Sequence, residues 1–119
     1  MNNSSNFKKN NSLRQRLELS QKVLLKYPKF IPIIIEKNSK DLKINELSKY
    51  KYLVPNELTI SQLMMLIRKN IKVQQETAIF ILINNTLISN STLLSDVYNQ
   101  FKDTDGFLYV TYTGENTFG

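Results

Sequence analysis

The sequence contains no cysteine and no histidine. Without cysteine there is no disulfide framework, no thiolate metal site and no cysteine nucleophile. Without histidine the usual general base and the commonest metal ligand at neutral pH are missing. The carboxylates are scattered along the chain, with no constellation of the kind that acid–base or metal chemistry requires. No metal, no cofactor and no catalytic residue are therefore expected, and the chain reads as a substrate and adaptor, not an enzyme. No apolar run approaches the ~20 residues of a membrane-spanning helix, and the polar start is not a secretory signal. The expected location is cytoplasmic, with any membrane attachment acquired. A length of 119 residues suits one domain with a single core.

Positive charge is concentrated at one end. Residues 1–29 hold seven basic residues (Lys8, Lys9, Arg14, Arg16, Lys22, Lys26, Lys29) against the single acid Glu18, and the rest of the chain is balanced at nine against nine. Such a segment can approach anionic lipid headgroups, acidic peptides or nucleic acid, or can be a solvated helix face that keeps the protein soluble. No recognised nucleic-acid motif accompanies the charge, so no nucleic-acid partner is expected.

In chain order, Met1 to Ser12 is rich in Asn, Ser and Lys and is expected to lack stable structure except around Phe7. Ser12 is a plausible cap for a helix over Leu13 to Lys26, which Tyr27-Pro28 ends. Leu13, Leu17 and Leu24 share one face and are expected to seal it to the body. Leu19 and Val23 form a second strip, either core margin or the wall of a groove. Phe30 to Ile35 is an apolar strand with both faces covered: Phe30, Pro32 and Ile34 point one way, Ile31, Ile33 and Ile35 the other. A second strand, Tyr50 to Val54, ends at Pro55. Thr59 to Gln62 has the form of a capping box, with Leu58 stapled to Leu63, and Ile60, Leu63, Met64, Ile67 and Ile71 trace a core-facing stripe. Ala78 to Ile83 is a third strand, turned at Asn84-Asn85 into a return arm over Thr86 to Ser89. Leu93, Leu94, Val97, Tyr98 and Phe101 mark a last helix.

After a turn at Asp105-Gly106, Phe107 to Tyr112 alternates as a half-buried strand. Thr113 to Asn116 reads as a polar spacer, and the chain ends on Phe118-Gly119. A free tail ending in glycine suits chemistry at its own carboxylate, because no side chain hinders attack at the carbonyl or passage through a narrow channel. The alternative is a frayed terminus that happens to end on glycine. The order of elements gives an α+β architecture with one mixed sheet.

Several blocks together resemble the GABARAP family of autophagy ubiquitin-like modifiers. They are Lys26-Tyr27-Pro28, Ile31 to Lys37, Lys51-Tyr52-Leu53-Val54-Pro55, Leu66-Ile67-Arg68-Lys69, Asn84-Asn85, and Gly106-Phe107-Leu108-Tyr109 through Gly119. They follow the family's order and approximate spacing from about Leu13 onward. The resemblance implies a ubiquitin-like β-grasp, with residues 1–29 as a basic helical extension packed on a body of residues 30–119 that ends in a flexible glycine tail. It implies conjugation of Gly119 to phosphatidylethanolamine on autophagic membranes, with Phe118 as the aromatic position recognised before it. The partners would be an ATP-dependent activating enzyme, a conjugating enzyme and a deconjugating cysteine protease. The protein would be a monomer before conjugation, cytoplasmic, and on the autophagosome membrane once lipidated. A chain ending on Gly119 either needs no first cleavage or is a processed form. The alternative within the same fold is an adaptor that is never conjugated.

The resemblance further implies binding of cargo receptors and machinery through short motifs with an aromatic residue and an aliphatic one three positions later, added as a strand beside the second strand. The aromatic pocket would comprise Val23, Pro32, Ile34, Lys51, Leu53 and Phe107. The aliphatic pocket would comprise Tyr52, Val54, Pro55, Leu58, Leu63, Leu66 and Ile67. Departures from the family pattern are Leu19 in place of a frequent acid, Lys29 in place of a frequent Asp, Phe30 in place of a common arginine, and Met64-Met65 in place of aromatic residues. They make the first pocket's surroundings more positive and more apolar, and imply a preference for motifs preceded by acidic residues.

Overall fold

The computed structural model describes residues 5–74 and 76–114. The elements are α1 (Asn6–Asn10), α2 (Leu13–Lys26), β1 (Phe30–Lys37), β2 (Lys51–Pro55), α3 (Ile60–Ile71), β3 (Ile79–Ile83), β4 (Thr86–Leu87), α4 (Leu94–Phe101) and β5 (Leu108–Gly114). They build one mixed sheet in the order β2-β1-β5-β3-β4. The central pair β1 and β5 is parallel, and every other pairing is antiparallel. This is the α+β architecture expected from the order of elements.

β1 is apolar on both faces because both are covered. Ile31, Ile33 and Ile35 join Leu108, Val110 and Tyr112 of β5 and the isoleucines of β3 in the main core, under Ile60, Leu63, Ile67 and Ile71 of α3 and Leu94 and Val97 of α4. On the opposite face Ile34 packs with Phe107 and Phe7 in a second, smaller cluster. α3 starts with the expected capping box between Thr59 and Gln62, and it stops where Lys72 takes a left-handed conformation at φ 57°. α4 has no side-chain cap. Its first N–H groups donate instead to backbone carbonyls ahead of α3, Leu94 to Leu58 at 2.8 Å and Ser95 to Asn56 at 3.0 Å, so the two helix starts are joined. Asn84 and Asn85 turn the β3–β4 hairpin with φ of 52° and 59°, the primed geometry that matches strand twist.

The structure allowed for around Phe7 is α1, where Phe7 is only 2% exposed within the second cluster and Lys8 pairs with Asp103 at 2.7 Å; two other expectations are corrected. A helix of five residues is too short to stand alone, and these anchors supply what propensity cannot. The expected polar spacer is partly strand, since β5 continues through Thr113 and Gly114 and Thr113 is fully buried. α2 is sealed to the body less by Leu13, which is 48% exposed, than by the buried Ser20 and the half-buried Leu17, Leu19 and Leu24.

Ser20 is small because the turn before β5 lies against it. Gly106 has φ 89°, and a Cβ there would sit 2.4 Å from the Ser20 Oγ, so the position requires glycine twice over. The same turn holds the buried carboxylate of Asp105. It accepts from the Arg16 guanidinium at 2.7 Å, the Phe107 N–H at 2.9 Å and the Tyr109 hydroxyl, while the Ser20 hydroxyl donates to the Asp105 carbonyl. The Tyr98 hydroxyl of α4 donates to the Gly106 carbonyl at 2.7 Å. Burial and the bond to Asp105 together push the Tyr109 hydroxyl well above its ordinary pKa.

Replacing Asp105 by Ala strands a mostly buried guanidinium and an N–H. The expected loss is about 3–5 kcal/mol in equilibrium urea unfolding, with Asp105→Asn intermediate. An unchanged urea midpoint for Asp105→Ala would show that the turn does not carry this role.

Candidate functional site

β2 stands at one edge of the sheet. The Ile35 N–H donates to the Tyr50 carbonyl at 2.8 Å and the Asn56 N–H to the Lys29 carbonyl at 3.0 Å, which fixes the phase of the β1–β2 ladder. By the alternation of an antiparallel pair, Tyr52 and Val54 exchange bonds with β1, and the N–H and C=O groups of Lys51 and Leu53 point away from the sheet. An incoming strand would find these groups oriented for pairing.

The side chains of β2 divide between the two faces. Lys51 lies opposite Ile34 and Leu53 opposite Pro32, so these four share the face of the second cluster. Ile34 and Phe107 are buried in that cluster, Pro32 is buried in Ile34's row on β1, and Val23 is half-buried on α2. Lys51 is exposed, and Leu53 retains 36% of its surface. Behind this group the Phe7 ring meets Phe107 edge-on at 5.1 Å and tilts against Tyr50 at 5.9 Å. Sequence reasoning gave Phe7 no role here; its being the only aromatic residue ahead of α2 was the available signal.

On the other face Val54, Leu63 and Ile67 are fully buried in the main core, and Tyr52, Leu58 and Leu66 pack half-buried against them. Pro55, half-buried at the end of β2, lies opposite Phe30 and so stands on the face of Pro32 and Leu53, not with the rest of its assigned group. Three of the seven residues assigned to the aliphatic pocket are thus floor, and four reach the surface. Lys49 lies over the Tyr52 ring, its Nζ 5.3 Å from the centroid, and adds to the positive charge of Lys51 at this edge.

The second feature is the end of β5. Asp41, buried in the connection after β1, accepts from the Gly114 N–H at 2.7 Å, the Lys43 N–H at 3.0 Å, the Ile44 N–H at 3.1 Å and the Thr113 hydroxyl at 3.3 Å. Lys37 Nζ donates to the Asp41 carbonyl. Burial works to raise the Asp41 pKa, and the backbone donors outweigh it, so the carboxyl lies below its ordinary value. Gly114 opens onto a cavity of ≈ 670 Å³ lined by Lys40, Leu42, Ile44, Val73 and Ala78 among others. Nothing in the lysine-rich sequence around Asp41 marked it as an anchor. Phe118 and Gly119 lie outside the described residues. Among the described residues no helix is long and apolar enough to cross a membrane, and no three acidic side chains gather as a metal would need.

Residues 15–119 match the family described as "Autophagy protein Atg8 ubiquitin like". The chain belongs to the Atg8 family. It is similar to autophagy-related protein 8e of Arabidopsis thaliana, 47% identical over 119 residues that cover 100% of this chain and 97% of that one. It is also similar to autophagy-related protein 8 of Vanderwaltozyma polyspora, 48% identical over 115 residues and 97% of each chain. The crystal structure of Trypanosoma brucei ATG8 has the same fold, with a TM-score of 0.90, 38% identity, and coverage of 98% of this chain and 99% of that one. The fold is therefore ubiquitin-like, with helices α1 and α2 ahead of the sheet, and the protein is an autophagy ubiquitin-like protein.

The folded-state pKa of Asp41 is depressed. Its contribution to stability is thus fully present above the unfolded carboxylate value of about 3.9 and is lost as pH falls through the folded value. Asp41→Asn is expected to destabilise at pH 7 by about 1–3 kcal/mol, with the gap to wild type closing in acid. Urea unfolding at a series of pH values checks this; a gap independent of pH would refute the charged anchor.

Proposed function

We propose that this Atg8 protein is a modifier joined through its C-terminal glycine to phosphatidylethanolamine on autophagic membranes, where it recruits cargo receptors and machinery through aromatic-x-x-aliphatic motifs. The observation that carries the recruiting half is the unpaired edge of β2, with outward backbone groups at Lys51 and Leu53 between two apolar groups on opposite faces. A strand added there alternates its own side chains. The aromatic anchor enters Val23, Pro32, Ile34, Lys51, Leu53 and Phe107, and the aliphatic residue three places on enters Tyr52, Val54, Pro55, Leu58, Leu63, Leu66 and Ile67. Each buried anchor contributes roughly 1.5–3 kcal/mol, so two anchors and backbone pairing sustain about micromolar affinity after ordering costs.

The conjugation half is supported by family membership and by the sequence of the tail. The Gly119 carboxylate would be activated with ATP, carried as a thioester on the activating and conjugating enzymes, and transferred to the lipid amine as an amide, releasing the enzyme thiol. Phe118 would be read by these enzymes and by the deconjugating cysteine protease. The protein supplies the reacting carboxylate and no catalytic group. Before conjugation it would be a cytoplasmic monomer, and afterwards it would sit on the autophagosome membrane.

Mass analysis of the C-terminal peptide from the membrane fraction of autophagy-induced cells is expected to find Gly119 carrying phosphatidylethanolamine, and deletion of Gly119 to abolish that species. A free Gly119 in every fraction would leave the unconjugated adaptor as the function. A second measurement concerns charge at the edge. With Lys49 and Lys51 exposed there, a motif peptide preceded by acidic residues is expected to bind about 3- to 10-fold more tightly than its neutral counterpart, an advantage that shrinks with added salt. Equal affinities would remove the preference.

A further inference from the structure

The apolar face that holds the aromatic pocket does not stop at Pro32. The row Ile34, Pro32 continues along β1 to Phe30, which lies opposite Pro55 just as Pro32 lies opposite Leu53. Phe30 is half-buried, and its ring stands edge-on to Tyr27, centroids 6.0 Å apart at 70°. Tyr27 closes α2 one turn beyond Val23 and is 39% exposed. The Phe30–Tyr27 pair is therefore continuous with the aromatic pocket through Pro32 and Val23, and nothing assigned to either pocket uses it. Lys26 Nζ sits 5.5 Å from the Tyr27 centroid, so the pair has an apolar body and a cationic outer rim.

The direction of a bound motif decides what meets this pair. The aromatic pocket draws on β2 at Lys51 and Leu53, and the aliphatic pocket lies further along at Val54, Pro55 and Leu58. A motif filling both in order runs parallel to β2, toward Pro55. Side chains of an added strand return to the same face every second residue, advancing roughly 6–7 Å. The residue two places after the aromatic anchor thus returns to the α2 face one step nearer Pro55, beside Phe30. The residues one and three places after the anchor face α3.

We propose that Phe30 and Tyr27 form a third subsite, which selects an apolar side chain two positions after the aromatic anchor of a bound motif. The proposal rests on the motif-docking reading above and adds a specificity that the two pockets alone do not supply. The occupant is an unbranched or aromatic apolar side chain such as Leu, Met or Phe, because the exposed surface to be covered is two aromatic rings and a proline.

The test uses the full chain and three peptides of one aromatic-x-x-aliphatic motif, identical except for Ala, Leu or Asp two places after the aromatic residue, titrated calorimetrically. The wild-type protein is expected to bind the Leu peptide about 3- to 10-fold more tightly than the Ala peptide, the gain of burying a few added methylene-sized groups. In Phe30→Ala the Leu-to-Ala ratio should fall to about one, and in Phe30→Leu it should persist. Because each ratio is internal to one protein, a general loss of affinity cancels, and the amide NMR spectrum checks the fold of each variant. Phe30→Arg should reverse the order in favour of the Asp peptide. If the Ala peptide binds wild type and the three affinities are equal, the third subsite is overturned and the two-pocket reading stands. If no peptide binds, both fall together.

Discussion

The buried carboxylate of Asp105 is the constraint on which the assembly of this fold depends. One side chain accepts from Arg16 on α2, from Tyr109 on β5 and from the N–H of Phe107, and the turn that carries it also receives Lys8, Ser20 and Tyr98. Every helix that is not α3 is thereby tied to the five residues ahead of β5, Asp103 to Phe107. The arrangement suits a small protein whose helices cross both faces of one sheet. Apolar burial is non-directional and would hold α1 and α2 somewhere on the face of Ile34, whereas a fully bonded ionic centre admits one placement. That placement also positions Phe107, which follows the turn directly and packs with Ile34 and Phe7.

The central strand pair explains why an open edge can be kept. β1 and β5 lie in the middle of the sheet and bury both faces, so the hydrophobic core is complete without any partner beyond β2. β2 contributes only Val54 to the buried core, and among the described strands it pairs with β1 alone. A long, flat, apolar edge would invite unwanted pairing. Here the edge is short, carries Lys51, has Lys49 just before it and ends in a proline, which are the usual means of restraining it. The same lysines favour an acidic partner strand over a second copy of this basic chain.

Much of this was legible in the sequence where local chemistry and pattern agree. The cap at Ser12, the capping box at Thr59, the stripe on α3, the two-faced apolar run of β1 and the Asn84-Asn85 turn each combine a periodic signal with a residue that only one conformation favours. The anchors were not legible. Asp41 and Asp105 are single acids whose partners lie far along the chain, Gly114 seventy-three residues from the first and Arg16 eighty-nine from the second, and no local pattern encodes such a pairing. The same reason hid the partners that fix the structure around Phe7, since Phe7 and Lys8 reach Phe107 and Asp103, and the extension of β5 through Thr113, whose hydroxyl meets Asp41. For the candidate site, the split of Lys51 and Leu53 from Tyr52 and Val54 followed from alternation alone, and the ladder's phase needed the structure.

The two features that matter for the proposed function lie at opposite ends of β1. Its first residues carry β2, from Phe30 opposite Pro55 to Ile34 opposite Lys51, and its last pair with the far end of β5, where Lys37 lies opposite Tyr112 and Asp41 holds Gly114. Seven steps of extended chain separate these ends by about 23 Å. A peptide seated on β2 therefore does not cover Gly114 at the end of β5. Asp41 holds the described end of β5 in place, because its buried carboxylate bonds Thr113 and Gly114 as well as the N–H groups of Lys43 and Ile44. The proposed function has the terminus handled while the surface is read, and the length of β1 keeps the two places apart.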